Sequence, residues 1–390
     1  MRFTRSFTAT AMCAPTRQQL YTGIFPVKNG GYPNHSHVKK GIKSIVHYLR
    51  DLGYRVGLSG KTHFGPHESF PFERISEDID FEAIREFINR EKKQPYCLIA
   101  ASHNPHCPWN KGDQSVYNPE KITVPPYMVD TPETREALCR YYAEVTELDR
   151  EVGECMKLVE ESGMKENTMF VYTSEQGMQL PHAKWTCYDL GLRTAFVVRW
   201  PKKIKPGTIS DAMIQYVDFV PTCIEAAGEK PAKDLDGHSF LPVLLGETDK
   251  HGDYVYGVHT TNGIIMGRPY PVRSIRSKTH KYIMNLMPDA TFNNVMIERD
   301  QENFWKSWVK KAESDEFAAK RVNLYLNRPA EEFYDIVRDP YELNNLADDP
   351  QYRPLMNLMR KKLEDWMETQ GDEGITTEMK ALGRQTKKRS

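Results

Sequence analysis

The sequence predicts an α/β fold followed by a smaller antiparallel region. Over the first part of the chain, helical periodicity alternates with short apolar runs such as 96–101 and 168–173. This order is typical of helices packed on a mostly parallel sheet. Beyond about residue 250, short strand-like pieces separated by turns favour an antiparallel sheet. These pieces are 254–259, 263–266, 274–276 and 281–285. We therefore expect a larger domain over residues 1–250 and a smaller C-terminal domain over residues 251–390.

The helices are predicted from the residues at their ends. Residues 44–52 have helical periodicity and stop at Gly53, because glycine readily adopts the left-handed conformation that closes a helix. Residues 131–162 begin with Thr131 followed by proline, a combination that caps and opens a helix. Residues 217–227 form the third predicted helix.

The strands are predicted from apolar runs. Residues 54–58 follow the first helix at once, and 96–101, 168–173 and 195–200 are short apolar segments that we expect to be buried strands. The charged C-terminal residues 377–390 are expected to fray.

Composition excludes several classes of protein. The 53 Lys and Arg residues balance 53 Asp and Glu residues, so no net charge favours nucleic acid, although a local basic pocket is compatible with this balance. No run approaches the roughly 18 apolar residues of a membrane span. The seven cysteines are scattered without a Cys-x-x-Cys pair, which fits neither a disulfide framework nor a zinc cluster. The N-terminus has no pattern typical of a secretory signal.

The segment 13–23 carries the strongest functional signal, and it reads CAPTRQQLYTG. A lone cysteine is usually a small buried apolar residue or an inert thiol. However, cysteine followed by proline two residues on and arginine four residues on resembles the signature of type I sulfatases. In that family a maturation enzyme oxidises the cysteine to formylglycine, whose hydrated aldehyde attacks sulfur. The resemblance implies that Cys13 is the nucleophile and that Arg17 holds its hydroxyl and the metal environment.

Two further segments that follow predicted strands resemble sulfatase motifs. The segment 60–65, GKTHFG, is similar to the Gly-Lys-x-His segment, which implies that Lys61 and His63 contact sulfate. Side chains two residues apart on an extended loop can project to the same side. The segment 104–109, NPHCPW, looks like the Pro-His-x-Pro loop, in which His106 would bond the substrate. It follows a strand at the end where open α/β sheets bind ligands.

A metal site is implied by the segment 173–177, TSEQG, which stands where sulfatases have Ser-Asp-His/Asn-Gly. Here Glu175 replaces the usual aspartate, and Gln176 replaces asparagine or histidine. Both offer oxygen ligands suited to a hard cation. The resemblance therefore implies a divalent metal, for which Ca²⁺ fits best, held by Glu175, Gln176 and the oxidised Cys13.

The segments 182–185, 191–194 and 197–201 resemble, in order, the sulfatase run that begins with Gly-Lys. Lys184 matches the lysine that contacts sulfate and can protonate the leaving atom, a task that arginine cannot perform. The implied reaction is hydrolysis of a sulfate ester or N-sulfate of a sulfated carbohydrate. Lys184 or His106 would assist departure of the sugar, and His63 would act as the base that releases sulfate.

Further landmarks in family order extend the resemblance to about residue 350, and they are 217–222, 236–242, 273–276 and 333–347. The implied fold is an alkaline-phosphatase-like sandwich, with a mixed, mostly parallel sheet between helices. The segment 60–66, with FPF at 70–72, is similar to the heparan N-sulfatase (sulfamidase) branch, which cleaves the N-sulfate of glucosamine. An O-sulfatase acting on a carbohydrate is the neighbouring alternative.

The sequence departs from the family pattern at its N-terminus. Sulfatases begin with a strand that ends in paired aspartates, which supply the other half of the metal site, but only 12 residues precede Cys13. The first residues look like the strand just ahead of the cysteine loop. We therefore expect either a misplaced start or fragment boundary, or a truncated, inactive relative that binds sulfated glycan.

A phosphoester hydrolase of the same superfamily is the second enzymatic alternative, although a serine or threonine nucleophile would be expected there. The partners implied by the resemblance are a sulfated carbohydrate and a formylglycine-generating or anaerobic sulfatase-maturating enzyme. Full-length relatives suggest a periplasmic, secreted or lysosomal location. The particular glycan, its linkage and the oligomeric state do not follow from the sequence.

Overall fold

The computed structural model describes residues 1–386. Its strands are β1 (Arg2–Phe7), β2 (Arg55–Gly60), β3 (Glu73–Ser76), β4 (Tyr96–Ala101), β5 (Phe170–Thr173), β6 (Arg193–Arg199), β7 (Ile209–Ser210), β8 (Ile214–Gln215), β9 (Val255–His259), β10 (Val272–Arg276), β11 (His280–Asn285) and β12 (Glu331–Asp335).

The α-helices of the same residues vary from a single turn to 30 residues. They are α1 (Cys13–Thr22), α2 (Pro26–Asn29), α3 (Ile45–Asp51), α4 (Phe81–Asn89), α5 (Pro132–Glu161), α6 (Asp189–Leu192), α7 (Phe219–Ala226), α8 (Leu241–Leu244), α9 (Val295–Arg299), α10 (Phe304–Ala312), α11 (Glu316–Leu326), α12 (Arg353–Gln370) and α13 (Ile375–Lys380).

Two sheets form the first part of the fold. A mixed sheet has the order β5-β6-β1-β7, with β8 also paired to β1. In it β1 runs antiparallel to β6 and parallel to β7 and β8. A second sheet, β3-β2-β4, is parallel throughout. The α/β class is therefore confirmed, and β1 is the strand that leads directly into the cysteine loop.

The expectation that residues 96–101 and 168–173 are buried strands is wrong in part. Both segments contain strands, but β4 is mostly half-buried and every residue of β5 is half-buried. Within residues 1–386, β4 pairs only with β2 and β5 pairs only with β6, so each is an edge strand. Strand β6 buries alternate residues, as expected for a sheet covered on one face.

The predicted helices are confirmed, and the end signals at Gly53 and Thr131 act as expected. At the start of α3 the backbone N–H of Ser44 donates to His47 Nδ1 over 3.2 Å, and Gly53 beyond the end of this helix has φ 84°. Thr131 caps α5 by accepting a hydrogen bond from the backbone N–H of Thr134. The third predicted helix is α7, which begins two residues later than the pattern indicated.

The C-terminal region contains the expected antiparallel sheet, in the order β12-β11-β10-β9. The predicted strand at 263–266 is wrong, because this segment is a turn flanked by Gly263 and Gly267, both with positive φ. Fraying of the C-terminus is wrong for 377–386, since α13 lies here with Glu378 fully buried. Residues 387–390 lie outside the described part of the chain.

One hydrophobic core joins the two regions. Phe7 and Trp185 share it with Val272 and Trp308, so both sides of residue 250 contribute to the same packing. The proposed division after residue 250 stays a prediction. In residues 1–386 no helix is long and apolar enough to cross a membrane.

Candidate active site

Cys13 lies at the first turn of α1, inside the protein, and a short loop connects it to the end of β1. Its side chain is 3% exposed. The preceding residue, Met12, provides no side-chain cap, while the backbone N–H of Ala14 donates to Asn34 Oδ1 over 3.2 Å. The first N–H groups of a helix are not bonded within it and carry partial positive charge, so an anion is favoured near Cys13.

A carboxylate and two cations meet beside Cys13. Glu175 accepts a hydrogen bond from Arg17 Nε, and its other oxygen lies 3.5 Å from Lys61 Nζ. Arg17 also donates from Nη1 to the carbonyl of Lys61 over 3.2 Å, which joins α1 to the end of β2. Burial raises the pKa of Glu175, but Arg17, Lys61 and Lys184 outweigh it and hold that pKa well below its usual range. The carboxylate is therefore ionised across the neutral range.

The loop after β5 positions Glu175. Ala195 on β6 donates from its backbone N–H to Ser174 Oγ over 3.0 Å, and the N–H of Gly177 donates to Gly191 O over 2.9 Å. A side chain at Gly177 would place its Cβ 1.7 Å from the carbonyl oxygen of Leu190. Only glycine allows the loop to lie against the backbone here.

Lys184 enters the same site from the loop between β5 and α6. The side chain is buried and its Nζ donates to Gln179 Oε1 over 3.2 Å. The backbone N–H of the next residue, Trp185, donates to Ala11 O over 3.1 Å, which holds this loop against the one that precedes Cys13. An ammonium group thus lies close to the cysteine, and within residues 1–386 its hydrogen-bond partner is an amide and not a carboxylate.

The charges around Cys13 favour its ionised form. Burial and the Glu175 carboxylate raise the pKa of the thiol, but Lys184, Lys61 and a hydrogen bond with His106 outweigh both and place that pKa well below its ordinary value. The thiolate is the nucleophilic form of cysteine, so these charges distinguish Cys13 from an inert buried thiol.

His106 is fixed by the loop after β4. Its backbone N–H donates to Glu144 Oε2 over 3.0 Å, and Nδ1 donates to the carbonyl of Cys107 over 2.8 Å. Glu144 is buried on α5 and also accepts from the backbone N–H groups of Asn110 and Lys111, so it holds the whole loop.

His63 has a different environment from the other predicted residues. Its Nε2 lies 3.0 Å from Nδ1 of His35, and the two ring centroids are 4.8 Å apart. The structure thus brings together seven predicted residues directly and links His63 to them through His35 and its neighbour Asn34. The seven are Cys13, Arg17, Lys61, His106, Glu175, Gln176 and Lys184.

Sequence reasoning missed three residues that position the site. Asn34 and His35 lie in a turn-rich segment after α2, and Gln179 lies in the loop that leads to Lys184. The only signal for Asn34 and His35 was their adjacency in the segment GGYPNHSH, which is also typical of an ordinary surface turn, and Gln179 had no signal in the sequence.

The C-terminal sheet holds the Lys184 loop. His182 donates from Nε2 to the carbonyl of Tyr341 over 3.0 Å. Asp189 at the end of the loop pairs with Lys281 and Arg276, and its backbone N–H donates to Glu342 Oε2 over 2.6 Å. The position of Lys184 therefore depends on side chains from β10, β11 and the segment after β12.

The side-chain oxygen atoms available for a metal are of the type that a hard cation prefers, but they are too few to complete its coordination. Gln176 Oε1 is buried and accepts no hydrogen bond from any of the described residues 1–386, and Glu175 next to it is ionised. Both are oxygen ligands of the kind that Ca²⁺ prefers, although Ca²⁺ takes six or more of them. Within residues 1–386 no three His, Cys, Asp or Glu side chains are grouped so that they could hold a metal ion.

Comparison with known proteins assigns residues 1–77 and 67–229 to the sulfatase family. Residues 181–319 match a second family, the C-terminal region of N-sulphoglucosamine sulphohydrolase.

Two curated relatives and one solved structure illustrate the similarity. An ulvan-active sulfatase of Formosa agariphila is 35% identical over 384 residues, covering 95% of this chain and 73% of the relative. The N-sulphoglucosamine sulphohydrolase of Homo sapiens is 26% identical, covering 93% of this chain and 82% of that protein. The structure of BT4656, solved with its substrate D-glucosamine-2-N,6-O-disulfate, superposes with a TM-score of 0.69 at 19% identity. It covers 95% of this chain and 91% of the other, and the likeness supports the expected fold.

Proposed function

This chain belongs to the sulfatase family, and from that premise we propose that it hydrolyses a sulfate ester or N-sulfate of a sulfated carbohydrate through a formylglycine nucleophile and a divalent metal. The observation that supports this most strongly is the meeting of Cys13, Arg17, Lys61, Lys184 and Glu175 in one place.

We propose that Cys13 is the residue that becomes formylglycine, whose hydrated aldehyde supplies an oxygen nucleophile for attack on sulfur. The contribution of the surrounding residues is to hold the side chain of residue 13 in place. The first turn of α1 holds this side chain, Ala14 and Asn34 tie that turn to the next loop, and burial limits competing water.

The charges of the site suit a sulfate group. Arg17, Lys61 and Lys184 carry three positive charges, and Glu175 carries one negative charge, which leaves two positive charges for an anion. Fixed cations in a buried site stabilise charge that develops on sulfate oxygens during in-line displacement. Lys61 and Lys184 are suited to contact with the sulfate oxygens, while Arg17 is committed to Glu175 and to the carbonyl of Lys61.

Lys184 or His106 would protonate the departing sugar oxygen or nitrogen. Lys184 is the stronger candidate, because its ammonium group is buried beside Cys13 and, in the part of the chain that the structure describes, donates to a neutral amide, Gln179. His106 uses Nδ1 to hold its own loop, so Nε2 is the nitrogen that bonds the Cys13 thiol and that would meet the substrate once residue 13 is formylglycine. General acid assistance of this kind contributes about 10²–10⁴-fold in rate.

Glu175 and Gln176 would hold the divalent metal, together with the oxygen that replaces the sulfur of Cys13. The buried Oε1 of Gln176, which has no hydrogen-bond partner among the residues that the structure describes, supports this role. When bound, a cation such as Ca²⁺ would supply positive charge opposite the sulfate oxygens. Ligands beyond these residues are required to complete its coordination.

The substrate divides into two candidates, and both are sulfated carbohydrates. The match of residues 181–319 to the C-terminal region of N-sulphoglucosamine sulphohydrolase favours an N-sulfated glucosamine. The 35% identity to an ulvan-active sulfatase favours an O-sulfated polysaccharide instead. Sulfate release from N-sulfoglucosamine and from ulvan oligosaccharides, measured side by side, separates the two.

The decisive experiment is co-expression with a formylglycine-generating or anaerobic sulfatase-maturating enzyme, using any in-frame sequence upstream of Met1 as well. We expect mass spectrometry to find formylglycine at position 13 and ion chromatography to find released sulfate that the Cys13→Ala variant does not release. A residue 13 that stays a thiol, with no sulfate release, refutes the proposal. Phosphate release in preference to sulfate release would favour the phosphoester alternative.

A further inference from the structure

A chain of hydrogen bonds runs from the first turn of α1 to His63. The backbone N–H of Ala14 donates to Asn34 Oδ1 over 3.2 Å, and Asn34 Nδ2 lies 3.3 Å from Nε2 of His35. Nδ1 of His35 then lies 3.0 Å from Nε2 of His63. Ala14, the residue next to Cys13, is thus connected to His63 through the side chains of Asn34 and His35, which lie in one loop.

The direction of this chain is fixed by its first bond. A backbone N–H can only donate, so the amide oxygen of Asn34 must face Ala14. Asn34 is 5% exposed, and its side chain then has only NH₂ left to face His35. Since an NH₂ group is a donor, Nε2 of His35 must accept and carries no proton.

The same reasoning passes to the second ring. A neutral His35 without a proton on Nε2 carries it on Nδ1, which therefore donates to Nε2 of His63. His63 accepts with Nε2, and its own proton in the neutral state resides on Nδ1. A reversed chain would leave two donors facing each other between Asn34 and His35 or between Ala14 and Asn34.

The backbone supports a built arrangement rather than a chance contact. Both His35 and His63 have left-handed conformations, with φ values of 59° and 56°. Non-glycine residues rarely adopt this region, and residues held there cluster at functional sites. The planes of the two rings are inclined by 47° and their centroids are 4.8 Å apart. At this separation the hydrogen bond between the rings defines their relative orientation.

We propose that Asn34 and His35 are positioning residues that fix the tautomer of His63, so that neutral His63 presents Nδ1–H as a donor. The catalytic role of this tautomer rests on the proposed sulfatase function, because His63 was predicted as a site residue from the family motif. His63 would then meet a sulfate oxygen as a hydrogen-bond donor. Its earlier assignment as the base that releases sulfate would require the bond from His35 to break first.

The test measures the protonation of the ring nitrogens and does not depend on activity. The full chain is labelled with ¹⁵N-histidine, and two-bond ¹H–¹⁵N spectra are recorded at a pH where neutral rings predominate. Signals are assigned with His35→Gln and His63→Gln. We expect unprotonated Nε2 and protonated Nδ1 for both residues in the wild-type protein. Protonated Nε2 on either ring overturns the proposal.

The variant Asn34→Asp reverses the first link. Its carboxylate still accepts from the N–H of Ala14 but now also requires a donor from His35, so Nε2 of His35 should become protonated. Asn118→Asp is the matched control, since Asn118 is exposed and its Oδ1 accepts from the N–H of Glu120, a bond that aspartate preserves. An unchanged His35 signal in Asn34→Asp contradicts the inference. Sulfate release, measured separately, decides only the proposed function.

Discussion

Lys61 Nζ lies 3.5 Å from Glu175 Oε2, although 114 residues separate the two in the chain. Glu175 also binds Arg17, so one carboxylate neutralises part of the charge from two places, the residue after β2 and helix α1. Arg17 is 8% exposed and the Lys61 side chain is 12% exposed. Cations this poorly hydrated depend on their carboxylate partner.

The first prediction concerns the loss of that carboxylate. Glu175→Gln should lower the free energy of unfolding by about 3 kcal/mol, because removing one partner leaves buried cations uncompensated. Urea denaturation in the presence of EDTA measures this without a contribution from bound metal. Glu247→Gln, at an exposed position, is the control and should change little. Equal stability of Glu175→Gln and wild type would show that the cations have another partner.

The second prediction separates charge from proton donation at Lys184. Lys184→Arg keeps a cation but cannot release a proton at neutral pH. For the mature enzyme, kcat on a carbohydrate sulfate should fall by about 10²–10⁴-fold. Hydrolysis of 4-nitrophenyl sulfate should fall much less, because that leaving group needs no acid. Lys205→Arg, on an exposed turn, should leave both rates unchanged. An equal loss on the two substrates argues against a role as the acid.

The third prediction compares two glycines. Gly177→Ala places a Cβ 1.7 Å from Leu190 O and should destabilise the protein by about 1–3 kcal/mol while displacing Glu175 and Gln176. Gly153 lies within α5 and a Cβ there meets nothing within 4 Å. Gly153→Ala should therefore stabilise by roughly 0.5–1 kcal/mol, since alanine favours helix. Thermal unfolding of both variants tests the pair, and a tolerated Gly177→Ala would disprove the close backbone approach.

The fourth prediction concerns pH and Glu342. Burial, together with repulsion from Asp189, raises the pKa of this carboxyl from 4.5 to about 7, even though Lys281 lowers it. The unfolded chain loses the proton near pH 4.5, whereas the folded protein retains it to about pH 7. Stability due to this group therefore falls as pH rises through that interval.

Glu342→Gln removes this titration, so its unfolding free energy should fall less than that of the wild type between pH 4.5 and 7. Chemical denaturation at half-unit steps of pH provides the two curves. The pairing of Asp189 with Lys281 and Arg276 lowers the pKa of this carboxyl to about 2, although burial raises it. Asp189 therefore does not titrate between pH 4.5 and 7. Glu77→Gln, at an exposed position, should follow the wild type. Parallel curves for Glu342→Gln and wild type would exclude the raised pKa.

The sequence anticipated the fold class and most helices because their signals are local. Gly53 and Thr131 act on their own helix ends, and the structure uses both of them as expected. The exposure of β4 and β5 could not be predicted in the same way, because it depends on which strands pair at the sheet edges. An apolar run looks the same at an edge and at a centre.

The candidate site was only partly predictable. Family motifs marked Cys13, Lys61 and Lys184, and the structure brings these side chains together. No comparable motif marks Asn34 or His35, whose relation to His63 arises from a contact across 28 residues and from two left-handed residues. The hold of Tyr341 and Glu342 on the Lys184 loop is likewise a product of tertiary folding.

The anchoring of that loop restricts how this protein could be recombined with its relatives. All predicted reactive side chains precede residue 186, yet His182 and Asp189 are secured by partners beyond residue 270. A chimera that exchanged the C-terminal sheet would therefore alter the placement of Lys184 while leaving every motif intact. We expect exchange of this sheet to change the turnover rate, and we expect exchange of an exposed surface helix to leave that rate unchanged.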